Sequence, residues 1–179
     1  MTLANRLTLL RAVMIFPYAV MALGGERTVA AAVFAIAAAT DLLDGYIARR
    51  RKEETALGRV LDPIADKMLT ITALFVLVAL GTLSGIMLAA VIAIAVREIW
   101  VAGLREGLVS NGGELPVTSF AKAKTTVQLL ALFLLTFGAS PVAYGLFWAA
   151  AALTLYTGWQ YTTMAFSMLN VGVDETADS

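Results

Sequence analysis

Six long stretches of mainly apolar residues run through the chain and limit what it can fold into. A helix that crosses a bilayer needs roughly 20 such residues, and each stretch comes close to that length. Turn-forming residues such as Gly24-Gly25 and Asn111-Gly112-Gly113 separate them. The sequence therefore predicts an all-α integral membrane protein with six transmembrane helices, at about residues 8–23, 28–49, 57–80, 84–106, 120–139 and 142–168.

The composition supports a membrane protein and excludes several kinds of chemistry. Of the 179 residues, 60% are hydrophobic and 15% are charged, whereas soluble domains are about 45–50% apolar and about 25% charged. Thirteen basic residues balance thirteen acidic ones, which argues against nucleic acid as a partner. The chain has neither Cys nor His, so acid–base chemistry falls to Asp, Glu, Lys or Tyr. We expect one membrane domain at 1–171 and a polar C-terminal tail at 172–179.

The distribution of Lys and Arg predicts how the helices are oriented. With both termini inside the cell, all thirteen basic residues except Arg27 lie on or towards the cytoplasmic side. They include the basic run at 49–52, between the second and third spans. Both termini are therefore predicted to be cytoplasmic.

Four aspartates lie inside predicted spans, where a charge costs on the order of 2.5–3.5 kcal/mol at mid-membrane. Asp41 and Asp44 belong to the second span, and Asp62 and Asp66 belong to the third. Helical spacing places each pair on one face of its helix. Because a short basic loop joins two antiparallel helices, the four carboxylates should reach matched depths. We expect them to converge in one pocket below the cytoplasmic surface.

Such a pocket would need cations, because four neighbouring carboxylates cannot all stay ionised without them. An all-oxygen site favours a hard divalent ion such as Mg²⁺, Mn²⁺ or Ca²⁺. Four shared carboxylates are enough for two ions about 4 Å apart, an arrangement used for displacement at phosphorus. Gly45, Ala48 and Gly58 lie on the same faces. Their small size would admit a phosphorylated ligand, and it would equally permit close helix packing.

Residues 41–66 read D-LL-DG-YI-AR, eight further residues, then G-RVL-D-PIA-D. This stretch resembles the signature of the CDP-alcohol phosphotransferases, D-x2-D-G-x2-A-R-x8-G-x3-D-x3-D, at all eight fixed positions. The six-span layout also fits that family, so the resemblance covers essentially the whole chain. It implies an enzyme that transfers a substituted phosphate group from a CDP-linked donor to an alcohol and releases CMP.

The resemblance also implies roles for the four aspartates. Asp41, Asp44 and Asp62 would bind one metal ion, and Asp41, Asp62 and Asp66 would bind a second. The ions would be Mg²⁺ or Mn²⁺. Asp66 is in addition the general base that the family pattern implies.

Further residues are implied to bind the CDP-lipid. They are Gly45, Ala48, Arg49, Thr55, Gly58 and Asn5. Thr55 falls at a position where several family members have a hydroxyl side chain that contacts the diphosphate. Asn5 resembles the asparagine of an N-terminal P-N-x-x-T segment that closes over the nucleotide, although Ala4 replaces the usual proline.

Four basic residues near the cytoplasmic side suggest an anionic acceptor alcohol. Arg97 and Arg105 are eight residues apart and share a helix face, and Lys122 and Lys124 open the fifth span. Anchoring at lipid headgroups is the alternative, above all for Lys122. The segments V-R-E-I-W-V-A-G-L-R-E and A-K-A-K-T-T-V-Q resemble the bacterial branch of the family that uses glycerol 3-phosphate. That branch implies CDP-diacylglycerol as donor, surrounding phospholipids, the inner membrane as location and a homodimer.

Other interpretations stay open at this point. The same chemistry could use inositol phosphate, serine or a lipid alcohol as acceptor. The aspartates could instead pair with Arg49, Arg59 and Lys67, or form the ion site of a small cation transporter. A transporter should show inverted repeats and broken helices, and neither is visible in the sequence. We interpret the tryptophans and tyrosines as packing or membrane-interface residues.

Overall fold

A computed structural model describes the backbone of residues 3–51, 56–110, 112–113 and 115–177, and the side chains of 8–40, 64–110, 112–113 and 115–168. Within these ranges every regular element is an α-helix and no strand is present, which confirms the all-α prediction. The helices are α1 Leu3–Leu23, α2 Arg27–Arg51, α3 Ala56–Ala79, α4 Met87–Ser110, α5 Ser119–Phe137 and α6 Pro141–Ala177.

The six helices correspond one to one with the six predicted stretches, and the differences lie at their ends. α4 begins at Met87 rather than 84 because the preceding residues form a turn in which Gly85 has a φ of +57°. Gly112, with a φ of +77°, lies in the predicted turn after α4. Only glycine adopts such a backbone readily. α6 continues as a helix through 172–177, the segment predicted as a polar tail.

Within the described part of the chain, two helices are long and apolar enough to cross a membrane, namely Met87–Ser110 and Ser119–Phe137. Shorter apolar helical segments lie at Thr8–Leu23 and Arg27–Thr40. Large apolar side chains also face outwards, including Phe16, Phe75 and Trp159. An exterior of this kind suits lipid better than water.

The helices pack around a large apolar core, the central cluster, formed by α1 to α6. α1 lies against α2 and α3, and α5 lies between α2 and α6. Tyr18, Phe34, Leu74, Leu132 and Phe147 are its largest buried members. This core fixes how the helices that carry the charged residues lie against one another.

A second, smaller apolar core joins α4, α6 and the start of α5, and we call it the α4–α6 cluster. Its buried members are Val101, Leu108, Leu115, Ala121, Tyr161 and Ala165. α4 contacts α6 directly, and α3 contacts both α4 and α5. These contacts bring Lys67 on α3, Glu98 on α4 and Lys124 on α5 together.

Candidate active site

The four predicted metal-binding aspartates lie on two helices that contact each other. Asp41 and Asp44 are on α2, and Asp62 and Asp66 are on α3. Among them only Asp66 has a described side chain, so their convergence stays a prediction. Within the described part of the chain, no group of three or more acidic residues gathers into a metal site.

The side chains of all six predicted CDP-lipid residues also lie outside the described ones. Gly45, Ala48 and Arg49 belong to α2, Gly58 belongs to α3, and Asn5 belongs to α1. Their backbones are helical, but nothing further is described of them. Thr55 lies outside the described residues altogether.

Asp66 pairs with the residue that follows it. The Nζ atom of Lys67 lies 2.9 Å from Oδ2 of Asp66. The Asp66 side chain keeps 24% of its surface exposed, so the carboxylate remains accessible. The alternative in which an aspartate pairs with Lys67 therefore holds for Asp66, and this ion pair is compatible with a further ligand on the other carboxylate oxygen.

Glu98 on α4 is the centre of a buried network of ion pairs. Lys67 Nζ lies 2.8 Å from Oε2 of Glu98, and Lys124 on α5 donates to Oε1. Glu98 and Lys124 each expose only 2% of their side chains. Two ammonium groups thus share one desolvated carboxylate, which satisfies charges that would otherwise be costly to bury. The network connects α3, α4 and α5.

Arg97 lies beside this network and reaches across to α6. Its Nη1 atom lies 3.5 Å from Oε1 of Glu98, and Nη2 donates to the Thr157 hydroxyl at 3.0 Å. The approach is close: a Cβ atom on Gly158 would lie 3.1 Å from Cγ of Arg97. The guanidinium is buried between two helices, with only 10% of the side chain exposed.

Arg105, two turns further along α4, is held by Tyr161. Its Nη2 atom donates to the Tyr161 hydroxyl at 3.1 Å, and its guanidinium carbon lies 5.1 Å from the ring centroid. The guanidinium carbon of Arg97 lies 5.7 Å from the same ring. The two arginines that the sequence places on one face therefore meet at one aromatic side chain.

Lys122 is placed differently from the other predicted acceptor residues. It is exposed on α5, whereas Lys124, two residues later, is buried against Glu98. Residues two apart on a helix point to different sides. A role of Lys122 in acceptor binding stays a prediction.

Among the described side chains of the site, the positive charges outnumber the negative ones. Lys67, Arg97 and Lys124 contact Glu98, and Lys67 also contacts Asp66. Arg105 lies at the Tyr161 ring, which Arg97 also contacts. Arginine and lysine at such density favour an anionic ligand, and arginine can contact a phosphate through two nitrogens. The described side chains therefore offer an anionic ligand, such as a phosphate group, an excess of positive charge.

Three members of this site were not assigned a role from the sequence. From the sequence, Lys67 is only a structural partner of the aspartates, Glu98 only an alternative ion-pair partner of Arg97, and Tyr161 only a packing or membrane-interface residue. The adjacency of Arg97 and Glu98 was the one local signal for the network. Nothing near position 161 indicates that its hydroxyl reaches Arg105.

Comparisons with known proteins agree on the relationships of this chain. Residues 1–156 match the family model described as CDP-alcohol phosphatidyltransferase. A Cereibacter sphaeroides protein named CDP-diacylglycerol–glycerol-3-phosphate 3-phosphatidyltransferase is 33% identical, over 94% of this chain and 97% of its own. Proteins of the same name from Pseudomonas fluorescens and Rickettsia felis are 37% and 36% identical. Those alignments cover 94% and 89% of this chain, and 92% of each relative.

Proposed function

The chain belongs to the CDP-alcohol phosphatidyltransferase family, and we propose that it transfers the phosphatidyl group of CDP-diacylglycerol to glycerol 3-phosphate, releasing CMP. The products would be phosphatidylglycerophosphate and CMP, in phospholipid biosynthesis. Relatives that carry this name align over nearly their whole length, which supports the same donor and acceptor here.

One observation carries the assignment of a phosphorylated acceptor. Arg97 and Arg105 meet at Tyr161 beside the buried pair of Glu98 and Lys124, and among the described side chains around them the cations outnumber the carboxylates. Glycerol 3-phosphate brings a phosphate dianion, which arginine can bind through paired N–H groups. Serine carries one carboxylate and no phosphate, so it would offer these cations less negative charge.

The donor set fits a divalent metal site. Asp41, Asp44, Asp62 and Asp66 would hold two ions, Mg²⁺ or Mn²⁺, because a chain without His and Cys offers hard oxygen ligands. The placement of the aspartates on two contacting helices supports this assignment. When bound, the ions would offset negative charge on the diphosphate and on the departing CMP.

The chain's own residues would then carry the proton transfer and the positioning. Asp66 takes the proton of the acceptor hydroxyl, and Lys67 holds that carboxylate through the 2.9 Å ion pair. Arg97, Arg105 and Lys124 hold the acceptor phosphate. The hydroxyl oxygen forms a bond to the phosphorus that carries the diacylglycerol. The bond from that phosphorus to the CMP oxygen breaks, and Asp66 passes its proton to solvent.

The remaining predicted residues would bind the donor. Asn5, Gly45, Ala48, Arg49, Thr55 and Gly58 would surround the CDP group. Lys122 would add a charge at the headgroup level, for the acceptor or for anionic phospholipids.

We also propose a six-span topology in the bacterial inner membrane. Both termini and the active site would face the cytoplasm, because the basic residues gather on that side. A homodimer in the membrane is part of the same proposal.

The acceptor assignment is tested by measuring CMP release from CDP-diacylglycerol by the purified protein with Mg²⁺ or Mn²⁺. Glycerol 3-phosphate, inositol phosphate, serine and no acceptor are compared side by side. Release that depends on glycerol 3-phosphate is the expected result. Release with a different acceptor would overturn the acceptor assignment, and a folded protein without any release would overturn the proposed reaction.

A further inference from the structure

The hydroxyl of Tyr161 makes three polar contacts from the interior of the protein. It accepts a hydrogen bond from Nη2 of Arg105 at 3.1 Å and another from the backbone N–H of Thr118 at 3.1 Å. It donates to the carbonyl oxygen of Pro116 at 3.2 Å. One donated and two accepted bonds use the full capacity of a hydroxyl group. The side chain is 0% exposed, so water does not compete for these contacts.

The ring of the same residue contacts both arginines. The guanidinium carbons of Arg105 and Arg97 lie 5.1 and 5.7 Å from its centroid. The two guanidinium groups carry like charges and repel each other, and the negative face of the aromatic ring attracts each of them. Tyr161 thus sets the distance and direction of two cations that come from one face of α4.

Tyr161 also fixes the beginning of the helix that carries Lys124. Thr118 is the N-cap of α5, and its backbone N–H donates to the Tyr161 hydroxyl. The Thr118 hydroxyl in turn accepts a hydrogen bond from the N–H of Ala121 at 3.2 Å. A capping residue held in place defines where the helix starts and how it is rotated. One hydroxyl on α6 therefore connects Arg105 of α4 with the first turn of α5.

We propose that Tyr161 is a positioning residue for the acceptor phosphate, holding Arg105 and Arg97 in the directions that phosphate binding requires. It does so without touching either substrate. The proposal rests on the proposed function, because it takes these arginines to bind the phosphate of the acceptor alcohol. It adds a residue on α6 to the determinants of acceptor affinity.

Tyr161→Phe is the direct test, because it removes the hydroxyl and keeps the ring. Tyr144→Phe is the matched control: it lies on the same helix, and its hydroxyl donates to the carbonyl of Thr82 at 3.1 Å, in the loop between α3 and α4. We expect Tyr161→Phe to raise the KM for glycerol 3-phosphate about tenfold, the effect of one hydrogen bond to a charged group. The KM for CDP-diacylglycerol should stay unchanged, and Tyr144→Phe should change neither.

A double-mutant cycle with Arg105→Ala separates positioning from general stability. If Tyr161 acts through Arg105, the loss of its hydroxyl should raise the acceptor KM much less when Arg105 is already absent. Equal increases in both backgrounds would overturn the proposal. So would an equal rise in the KM of both substrates, or identical behaviour of Tyr161→Phe and Tyr144→Phe. A wild-type protein without glycerol 3-phosphate-dependent release would overturn the proposed function itself, which is a different outcome.

Discussion

Lys67 on α3 and Glu98 on α4 form an ion pair across the interface of their helices, with Nζ 2.8 Å from Oε2. The same ammonium group contacts Asp66, and the same carboxylate contacts Lys124. Asp66, the proposed proton acceptor, and Lys124, proposed to bind the acceptor phosphate, are therefore the two ends of one chain of ion pairs. With the acceptor phosphate bound at Lys124, the acceptor hydroxyl would lie close to Asp66.

Replacement of Asp66 by Asn tests its role in proton transfer. An amide cannot accept the hydroxyl proton, so we expect CMP release to fall by about 10³-fold, within the range known for general bases. Glu26→Gln, at an exposed carboxylate between α1 and α2, is the control and should leave release unchanged. Substantial turnover by the Asn variant would remove Asp66 as the base.

Replacement of Glu98 by Gln tests the buried network. The change would leave Lys67 and Lys124 without a counter-charge, and breaking a buried ion pair costs about 3–5 kcal/mol. We expect a loss of about 3 kcal/mol in the free energy of unfolding, near the lower limit, because Lys67 is partly hydrated. Denaturant unfolding in one detergent, with Glu106→Gln at an exposed site as control, measures it. Equal stability of the two variants would show that the network contributes nothing.

Replacement of Arg105 by Ala tests phosphate binding. We expect the KM for glycerol 3-phosphate to rise by about tenfold to hundredfold, since a charged hydrogen bond is lost. The KM for CDP-diacylglycerol should change less. Arg105→Lys keeps the charge but not the paired nitrogens, so its KM for glycerol 3-phosphate should lie between those of the wild type and of Arg105→Ala. Arg27→Ala, at the first residue of α2, serves as the control. Equal effects of Arg105→Ala on both substrates would argue against contact with the acceptor phosphate.

Gly158 and Gly145 form a matched pair on α6. A Cβ atom at Gly158 would lie 3.1 Å from Cγ of Arg97, whereas nothing lies within 4 Å of one at Gly145. Alanine at 145 should be neutral or stabilising by up to about 1 kcal/mol. Alanine at 158 should displace Arg97 and raise the acceptor KM. The test is to measure the melting temperature and the KM for glycerol 3-phosphate of both variants. Identical values for the two variants would contradict the close approach of Arg97 to Gly158.

Local spacing predicts part of this architecture. Apolar runs and turn glycines predict six helices, and a separation of eight residues predicts that Arg97 and Arg105 share a face of α4. Their partners come from other helices: Tyr161 is 56 positions beyond Arg105. A helix that is apolar on all sides does not reveal which side faces its neighbours. The contacts of Glu98 with Lys67 and Lys124 therefore depend on helix rotations that no single segment encodes.

The prediction for the aspartates rests on a different kind of information. Asp41, Asp44 and Asp62 follow a signature with fixed spacing, and they lie on the helices that the spacing predicts. Their side chains lie outside the described residues. The proposed metal site therefore rests on the signature and on the placement of the helices. Of its four aspartates, Asp66 is the one whose side chain is described.

The most direct test of the account is to identify the lipid that the purified protein makes from CDP-diacylglycerol and glycerol 3-phosphate in the presence of Mg²⁺. Mass spectrometry of the lipid fraction and parallel measurement of CMP give both products of one reaction. We predict phosphatidylglycerophosphate in an amount equal to the CMP released, and neither product after metal chelation. CMP formed without phosphatidylglycerophosphate, or no product from folded protein with metal present, would contradict the account.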